Sequence, residues 1–178
     1  MANLAFLREV SNVTAYKFIY VQGTATLDDG NIVVATTLST DTFEDDVYAV
    51  TQPALSTDGN LAIVVGEEFY QDASGNRINI TDPTDITYPA GAIIRAVRPE
   101  IDMTFKISNA AITGTAVLGE YLIPADTSYE WVPSATIPAN NKLALRVERA
   151  AKNISFKGNT PIVGVEARVV NYVAEATA

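Results

Sequence analysis

A chain of 178 residues, 48% of them hydrophobic and 19% charged, is long enough to fold as one domain around its own core. It contains no Cys and no His, which excludes disulfides, thiolate metal ligands and mechanisms that depend on a thiol or an imidazole. The net charge of −9 repels a phosphate backbone, so we expect no nucleic acid among its partners.

The N-terminal sequence predicts neither a signal peptide nor a membrane segment. It lacks a basic start, and its apolar run over residues 4–7 is too short, so we expect a protein used without Sec export. No stretch of the chain approaches the roughly 20 apolar residues of a membrane span, and no membrane partner is expected. Residues 1–15 are predicted to be an arm that docks on a neighbour or a short helix, with Leu4, Leu7 and Val10 on one face.

Residues 16–178 are predicted to form a single β domain, because β-branched and aromatic runs of strand length alternate with turn signals. Turns rich in Asp, Asn, Gly or Pro are predicted at 27–31, 56–60, 71–76 and 81–85, and residues 150–153 are predicted to be a connection. The predicted strands are 16–22, 31–37, 47–50, 61–65, 92–97, 103–107, 115–118, 120–123, 142–149 and 162–173.

Two of these strands, 92–97 and 103–107, are predicted to be the central pair, joined at a bend that contains Pro99. The second alternates apolar and polar residues, the pattern of a half-buried strand, whereas 61–65 is apolar throughout and predicts a strand buried on both faces. The whole pattern predicts an all-β fold, either a single β-barrel or a β-sandwich-like domain, with a short N-terminal arm.

The polar clusters do not match a catalytic or ligand-binding motif, so we assign no catalytic, cofactor-binding or metal-ligating residue and expect no enzyme. The spacing of the acidic loop 41–46 is not that of an EF-hand, and it is interpreted as a solvated loop. Asp72, Ser74 and Asn76 resemble the start of a calcium loop but are interpreted as a turn. Glu67 and Glu68 are adjacent, so on a strand they point to opposite faces and do not form a glycosidase pair.

Three aromatic residues, Tyr121, Tyr129 and Trp131, surround the proline-rich stretch 124–138. Aromatic side chains on loops stack on sugar rings or anchor protein interfaces. The alternative is that this loop folds its aromatic side chains onto the core.

Five stretches together resemble the capsid decoration proteins of tailed bacteriophages, also called head cement or capsid-stabilising proteins. The carrying sequences are DVYAVTQPALSTDGNLAIVVG at 46–66, PAGAIIRAVRPEIDMTFKIS at 89–108, ITGTAVLGEYLIPADTSYEWVP at 112–133, KLALRVERAA at 142–151 and IVGVEARVV at 162–170. The resemblance implies a β-barrel-like domain on the outside of a viral head, bound to the major capsid protein, often as a homotrimer and often with a bridging terminal arm.

This resemblance implies a structural virion protein that is made in the host cytoplasm. Leu4, Phe6 and Leu7 are the predicted docking residues of the arm, with Tyr121, Tyr129 and Trp131 as further interface candidates. One alternative is a carbohydrate-binding β-sandwich module of a tail fibre or cell surface, which would use Tyr129 and Trp131. Another is a carboxylate-dependent hydrolase, which requires two carboxylates facing a cleft.

Overall fold

The computed structural model describes residues 5–8, 17–39, 46–65, 69–79, 87–154 and 162–173. These residues form two β-sheets, which pack against each other and confirm the all-β prediction. A 3₁₀ turn at Asn109–Ala111 is the helical element among the described residues. The strands are β1 (Ala5–Arg8), β2 (Lys17–Gly23), β3 (Ile32–Leu38), β4 (Val47–Thr51), β5 (Leu61–Val64), β6 (Phe69–Gln71), β7 (Arg77–Asn79), β8 (Ile93–Arg98), β9 (Thr104–Ser108), β10 (Tyr121–Pro124), β11 (Trp131–Ser134), β12 (Leu143–Ile154) and β13 (Ile162–Tyr172).

The first sheet closes into a small barrel. Its strand order is β2-β4-β3-β5-β8-β6-β7, and β2 also pairs with β8, so β2, β4, β3, β5 and β8 form a closed ring. All of these ring pairings are antiparallel except β2 with β4. The β6–β7 hairpin extends the sheet beyond β8, and Asp72 and Gly75 form its predicted turn. Ring closure leaves no free strand edge within those five strands.

The second sheet has the order β1-β9-β13-β12-β10-β11. Its centre is the long β12–β13 hairpin, in which the pairs run from Leu143 with Tyr172 to Ile154 with Ile162. Register shifts interrupt this pairing in three places, one of them between Val147 and Arg149. Irregularities of this kind bend a strand and increase its twist, which suits a sheet that wraps over a barrel.

Two hydrophobic cores result, one inside the barrel and one between the sheets, and β5 contributes to both. Ala62 and Val64 pack inside the barrel, whereas Leu61 and Ile63 pack in the core that also includes Trp131, Phe105 and Leu145. The prediction that 61–65 is buried on both faces is therefore confirmed. Small side chains, Ala35, Ala62, Ala92 and Ala96, contribute to the barrel interior.

The predicted central strands are β8 and β9, and the connection between them carries the chain from one sheet to the other. The bend at Pro99 leads to Asp102, which has a φ of 73° and donates its N–H to the Val169 carbonyl at 2.9 Å. β9 is buried on both faces, which corrects the half-buried prediction, since Thr104 and Ser108 are also buried.

Three further predictions from sequence are corrected. Residues 150–153 are not a connection but continue β12, because they pair with β13. Residues 115–118 are not a strand; they lead into a turn at Leu118–Gly119. The helix alternative for the N-terminal segment is wrong over residues 5–8, which form β1, whereas the boundary at residue 15 lies outside the described residues and stays a prediction.

Candidate functional site

The predicted docking residues of the arm lie at the edge of the second sheet. Phe6 and Leu7 belong to β1 and pair with Lys106 and Phe105 of β9, while Leu4 lies outside the described residues. In the described part of the chain, no strand pairs with the other edge of β1. A four-residue row of main-chain groups therefore stands at the margin of the sheet, where another chain can add a strand.

Trp131 does not lie on the surface. Its side chain is fully buried in the inter-sheet core, and its indole N–H donates to the Gly30 carbonyl at 3.0 Å. The alternative that the proline-rich loop folds its aromatics inward is thus confirmed for Trp131. Its side chain is not accessible to a protein partner or a sugar ring in this fold, which corrects its assignment as an interface residue.

The two tyrosines of the same stretch are half-buried. Tyr129 packs against the barrel core, its carbonyl accepts the Ile32 N–H at 2.9 Å, and burial raises the pKa of its phenol. Tyr121 lies on β10, opposite Arg146 of β12 and Ser134 of β11. Tyr121 thus keeps some exposed surface in a sheet, and its role in an interface stays a prediction.

The most exposed large apolar side chain among the described residues belongs to a turn outside the predicted interface residues. Leu118 is 69% exposed, and its neighbour Val117 is 50% exposed. The Glu120 N–H donates to the Val117 carbonyl, which closes a turn over Leu118 and Gly119, and Gly119 has a φ of 88° that favours glycine. Gly119 directly follows the apolar pair Val117 and Leu118, and a Gly in this place is the sequence signal for such a turn.

We call residues 117–120 the Leu118 turn. Hydrogen bonds within the turn and to β12 hold its main chain in place. The Glu120 carboxylate accepts the Val117 N–H at 3.1 Å. The Gly119 N–H donates to the Val147 carbonyl at 2.9 Å, and the Val147 N–H donates to the Glu120 carbonyl at 2.8 Å. The turn is therefore held against β12 by main-chain bonds while its apolar side chains remain in solvent.

A second exposed leucine, Leu55, is held in a comparable turn between β4 and β5. The Asp58 carboxylate accepts the N–H groups of Ala54 and Leu55, and the Asp58 N–H donates to the Leu55 carbonyl. Leu55 is 55% exposed. The Asp126 carboxylate accepts the N–H of the adjacent Ser56, so two carboxylates lie at this turn.

Two aromatic side chains are exposed on one face of the barrel. Phe18 and Tyr20 alternate with Ile19 and Val21 on β2, and they are 41% and 47% exposed. The guanidinium carbon of Arg95 lies 4.4 Å from the centre of the Phe18 ring. An aromatic pair two residues apart on a strand presents two rings to the same side.

Charged side chains concentrate on the face of the second sheet that points away from the core. The described charged side chains of β9, β12 and β13 are four cations, Lys106, Arg146, Arg149 and Arg168, and two carboxylates, Glu148 and Glu166. Arg168 contacts Glu148 at 2.6 Å and Asp102 at 3.0 Å. Arg149 lies 3.9 Å from Glu166. We call the four cations the basic strip.

The candidate ligand-binding carboxylates do not assemble into a site within the described residues. No group of three or more His, Cys, Asp or Glu side chains that could hold a metal ion is found among them. Asp72 is occupied by its own turn, where its carboxylate accepts the N–H groups of Ser74 and Asn76 and the Asn76 side-chain amide. The hydrogen bond from the Asn76 side-chain amide is the largest cause that lowers the pKa of Asp72, and the main-chain N–H groups of Asn76 and Ser74 lower it further. Glu67, Glu68 and residues 41–45 lie outside the described residues.

A scan against protein-family models, a search of curated proteins and a search of solved structures each gave no match. The described residues contain no helix long and apolar enough to cross a membrane.

Proposed function

We propose that this chain is a structural protein of a tailed-bacteriophage virion that binds the outside of the head and stabilises contacts between major capsid protein subunits. The resemblance of residues 46–170 to decoration proteins supports this proposal. The observation that carries it is β1, an N-terminal strand at the sheet margin whose outer edge no described strand occupies. Such an edge binds an extended segment of another protein through main-chain hydrogen bonds.

Binding through several copies of this edge at once would attach the protein to a head more tightly than one edge alone. A four-residue strand edge offers few hydrogen bonds, each contributing about 1 kcal/mol net. A homotrimer, which we propose as the bound form, presents three such edges at once and converts modest contacts into tight attachment. The major capsid protein is the proposed partner, and the capsid exterior is the proposed location.

Co-sedimentation of the purified protein with undecorated heads tests the proposal. We expect saturable binding at a number of copies set by the capsid lattice, and a trimeric mass for the protein by light scattering or in the bound layer. Failure of the folded wild-type protein to sediment with heads would overturn the proposal.

The double substitution Phe6→Ala with Leu7→Ala tests the arm. We expect it to weaken head binding while the fold stays intact, with Ile101→Ala as a control at an exposed apolar residue of the β8–β9 connection. Unchanged head occupancy of the double variant would rule out docking through the arm.

A carbohydrate-binding module remains the second candidate, and one observation favours it. Phe18 and Tyr20 present two exposed rings on one face of β2, the arrangement that stacks on sugar rings. Trp131 does not contribute, since it is buried. A glycan array decides this candidate: binding that Tyr20→Ala abolishes supports it, and an array without signal removes it.

A further inference from the structure

We propose that the end of the β12–β13 hairpin docks on a turn of a second copy of this chain, and that repetition of this contact closes the homotrimer of the proposed function, on which this inference rests. The hairpin end, which we call the ribbon, is residues 150–154 of β12 and 162–165 of β13. The receiving surface, which we call the Leu55 turn, is residues 54–58 between β4 and β5.

The ribbon extends past the strands on both sides of it. β10 and the turn before it reach β12 only as far as Val147, and β9 reaches β13 only as far as Gly164. The last two pairs of the hairpin, which end at Ile154 and Ile162, therefore have no neighbouring strand among the described residues, and Val163 is 46% exposed. Two strands alone are marginally stable in water, so the ribbon gains stability from a surface that covers it.

The charge of the ribbon is opposite to that of the rest of the chain. Residues 150–165 contain two lysines, of which Lys152 lies on β12, and no Asp or Glu, so all 21 carboxylates of a chain with net charge −9 lie elsewhere. The body of another copy is therefore an acidic surface that attracts the ribbon. Two ribbons repel each other, so the contact joins the ribbon to a different surface of the second copy.

The Leu55 turn matches the ribbon in polarity and in charge. Leu55 is 55% exposed, and the Asp58 carboxylate accepts its N–H, so an apolar side chain is presented from a fixed main chain. The Asp126 carboxylate accepts the N–H of Ser56 in the same turn. Within the part of the chain that the structure describes, neither carboxylate forms an ion pair with Lys or Arg. Both charges thus remain available to a cation from another copy.

The Leu118 turn fits the ribbon less well, although Leu118 is the more exposed leucine. Its main chain is bonded to Val147, and the next residue of β12 is Arg146, which forms no ion pair with a described residue. The charge of Arg146 offsets that of Glu120 in this turn. Lys152 of another copy is therefore attracted more strongly to the Leu55 turn.

The ribbon and the Leu55 turn lie at opposite ends of β12. The side-chain amide of Asn141, just before β12, donates to the Ser56 carbonyl at 3.1 Å, which places the Leu55 turn at the start of this strand. β12 then runs for 12 residues to Ile154, a length of roughly 40 Å. The two surfaces thus meet only between copies. A contact that joins two different surfaces generates a ring when the rotation between subunits closes.

Because the chain contains no Cys, introduced cysteines report this contact directly. The variants Val163→Cys and Leu55→Cys, both at exposed residues, are mixed under mild oxidation, and we expect a disulfide-linked pair with one copy of each. The double variant should give linked species that end at the trimer. Its two cysteines are too far apart to pair within one copy, since the Cα atoms of a disulfide lie within about 7 Å.

A mixture of Val163→Cys with Leu118→Cys is the matched control. Leu118 is 69% exposed, more than Leu55, so random collisions would link this mixture at least as well. We expect it to link at least about tenfold more slowly, because the proposed contact brings Val163 to Leu55 only. Equal rates in the two mixtures would overturn the choice of the Leu55 turn.

Lys152→Glu tests the contribution of charge. We expect it to weaken the association of free copies about tenfold in analytical ultracentrifugation, whereas Arg77→Glu, at an exposed cation of β7, should stay within about twofold of wild type. Raising the salt concentration from about 0.05 to 0.5 M should weaken wild-type association more than that of Lys152→Glu, because screening removes an attraction that this variant has already lost. Circular dichroism checks that both variants remain folded.

Head binding is measured separately, so the proposed function and this contact can fail separately. A Val163–Leu55 cross-link in a protein that does not sediment with heads supports the contact and overturns the proposed function. Absence of that cross-link, both in the free protein and on heads, overturns the contact and leaves head binding standing. Linked species that continue beyond the trimer overturn the closed ring. Loss of head binding by a Lys152→Glu variant that still associates normally would show that the ribbon docks on the capsid instead.

Discussion

At the scale of single residues, Trp131 connects the two sheets through one hydrogen bond. It lies on β11 of the six-stranded sheet, and its indole N–H reaches the carbonyl of Gly30 in the turn before β3 of the barrel. Both groups are buried, so water does not replace the bond if it is lost. The chain contains no other Trp, which makes this side chain a specific fluorescence probe of the packing between the sheets.

Trp131→Phe is expected to destabilise the fold by about 2–4 kcal/mol. The variant leaves the buried Gly30 carbonyl without this donor, which costs about 1–3 kcal/mol, and the smaller ring leaves a void that adds to the loss. Urea unfolding followed by circular dichroism measures the difference. Tyr20→Phe, an exposed ring change, is the control and should stay within about 0.5 kcal/mol of wild type. A loss below about 0.5 kcal/mol in Trp131→Phe would contradict this role.

Two tyrosines predict how stability responds to alkaline pH. Burial raises the pKa of Tyr129 and of Tyr172 above the ordinary value of 10.0, and Arg98 partly opposes the shift at Tyr172. The unfolded chain therefore loses these phenol protons before the folded one does, so the stability they contribute is fully present below pH 10.0 and is lost as the pH rises through their folded values.

Unfolding in urea at pH 8, 10 and 11 tests this expectation. The free energy of unfolding should fall over the upper part of this range in wild type, and the double variant Tyr129→Phe with Tyr172→Phe should fall less steeply. Equal slopes in the two proteins would contradict the assignment. The double variant is also expected to start lower at pH 8, because Tyr172→Phe removes the hydrogen bond to the Leu61 carbonyl.

The burial of Trp131 shows a limit of sequence reasoning at this scale. Prolines on both sides made a loop the natural interpretation, and loops usually lie on the surface. The Trp131 ring is buried in the core between the sheets, and its N–H is bonded to the Gly30 carbonyl, about a hundred residues away in the sequence. Local composition carries no information about such a partner, so the sequence left surface and core open for this residue.

At the scale of elements, β5 is one of the strands that contribute to both cores, and its burial could be predicted from its sequence. A run without polar residues, LAIV, has no side suited to water, so it predicts burial on both faces. The last residues of β12, by contrast, are not predicted as a strand, because their local sequence does not favour one. Residues 150–153 have weak strand propensity, and pairing with β13 overrides that propensity.

Substitutions on the two faces of β5 are expected to destabilise by different mechanisms. Ile63→Ala leaves a cavity in the inter-sheet core and should cost about 2–5 kcal/mol. Ala62→Leu overfills the barrel, whose interior is lined partly by alanines, and should cost about 1–3 kcal/mol. The exposed Ala49→Leu on β4 is the control and should change stability by less than about 0.5 kcal/mol. Thermal unfolding measures all three, and an unchanged Ala62→Leu variant would show that the barrel interior is not close-packed.

At the scale of the whole molecule, the sequence does not predict that the first sheet closes into a ring. Alternation and turns predicted most strands but left barrel and sandwich open, because the decisive pairings join distant segments, such as β2 with β8. The described fold combines both alternatives, since a closed ring packs against an open sheet. The sequence likewise does not indicate the Leu118 turn as a candidate site, because the exposure of its side chains depends on how the turn is bonded to β12.

Shared strands also determine how the molecule unfolds. β3, β5 and β8 each contribute residues to both cores, so neither core can be exposed without disrupting strands of the other. We therefore expect one cooperative transition in which Trp131 fluorescence and far-ultraviolet circular dichroism coincide. Val64→Ala in the barrel and Leu145→Ala between the sheets should each move that single transition to lower denaturant concentration. Two separated transitions, with Val64→Ala shifting one and Leu145→Ala the other, would show instead that the barrel and the six-stranded sheet unfold independently.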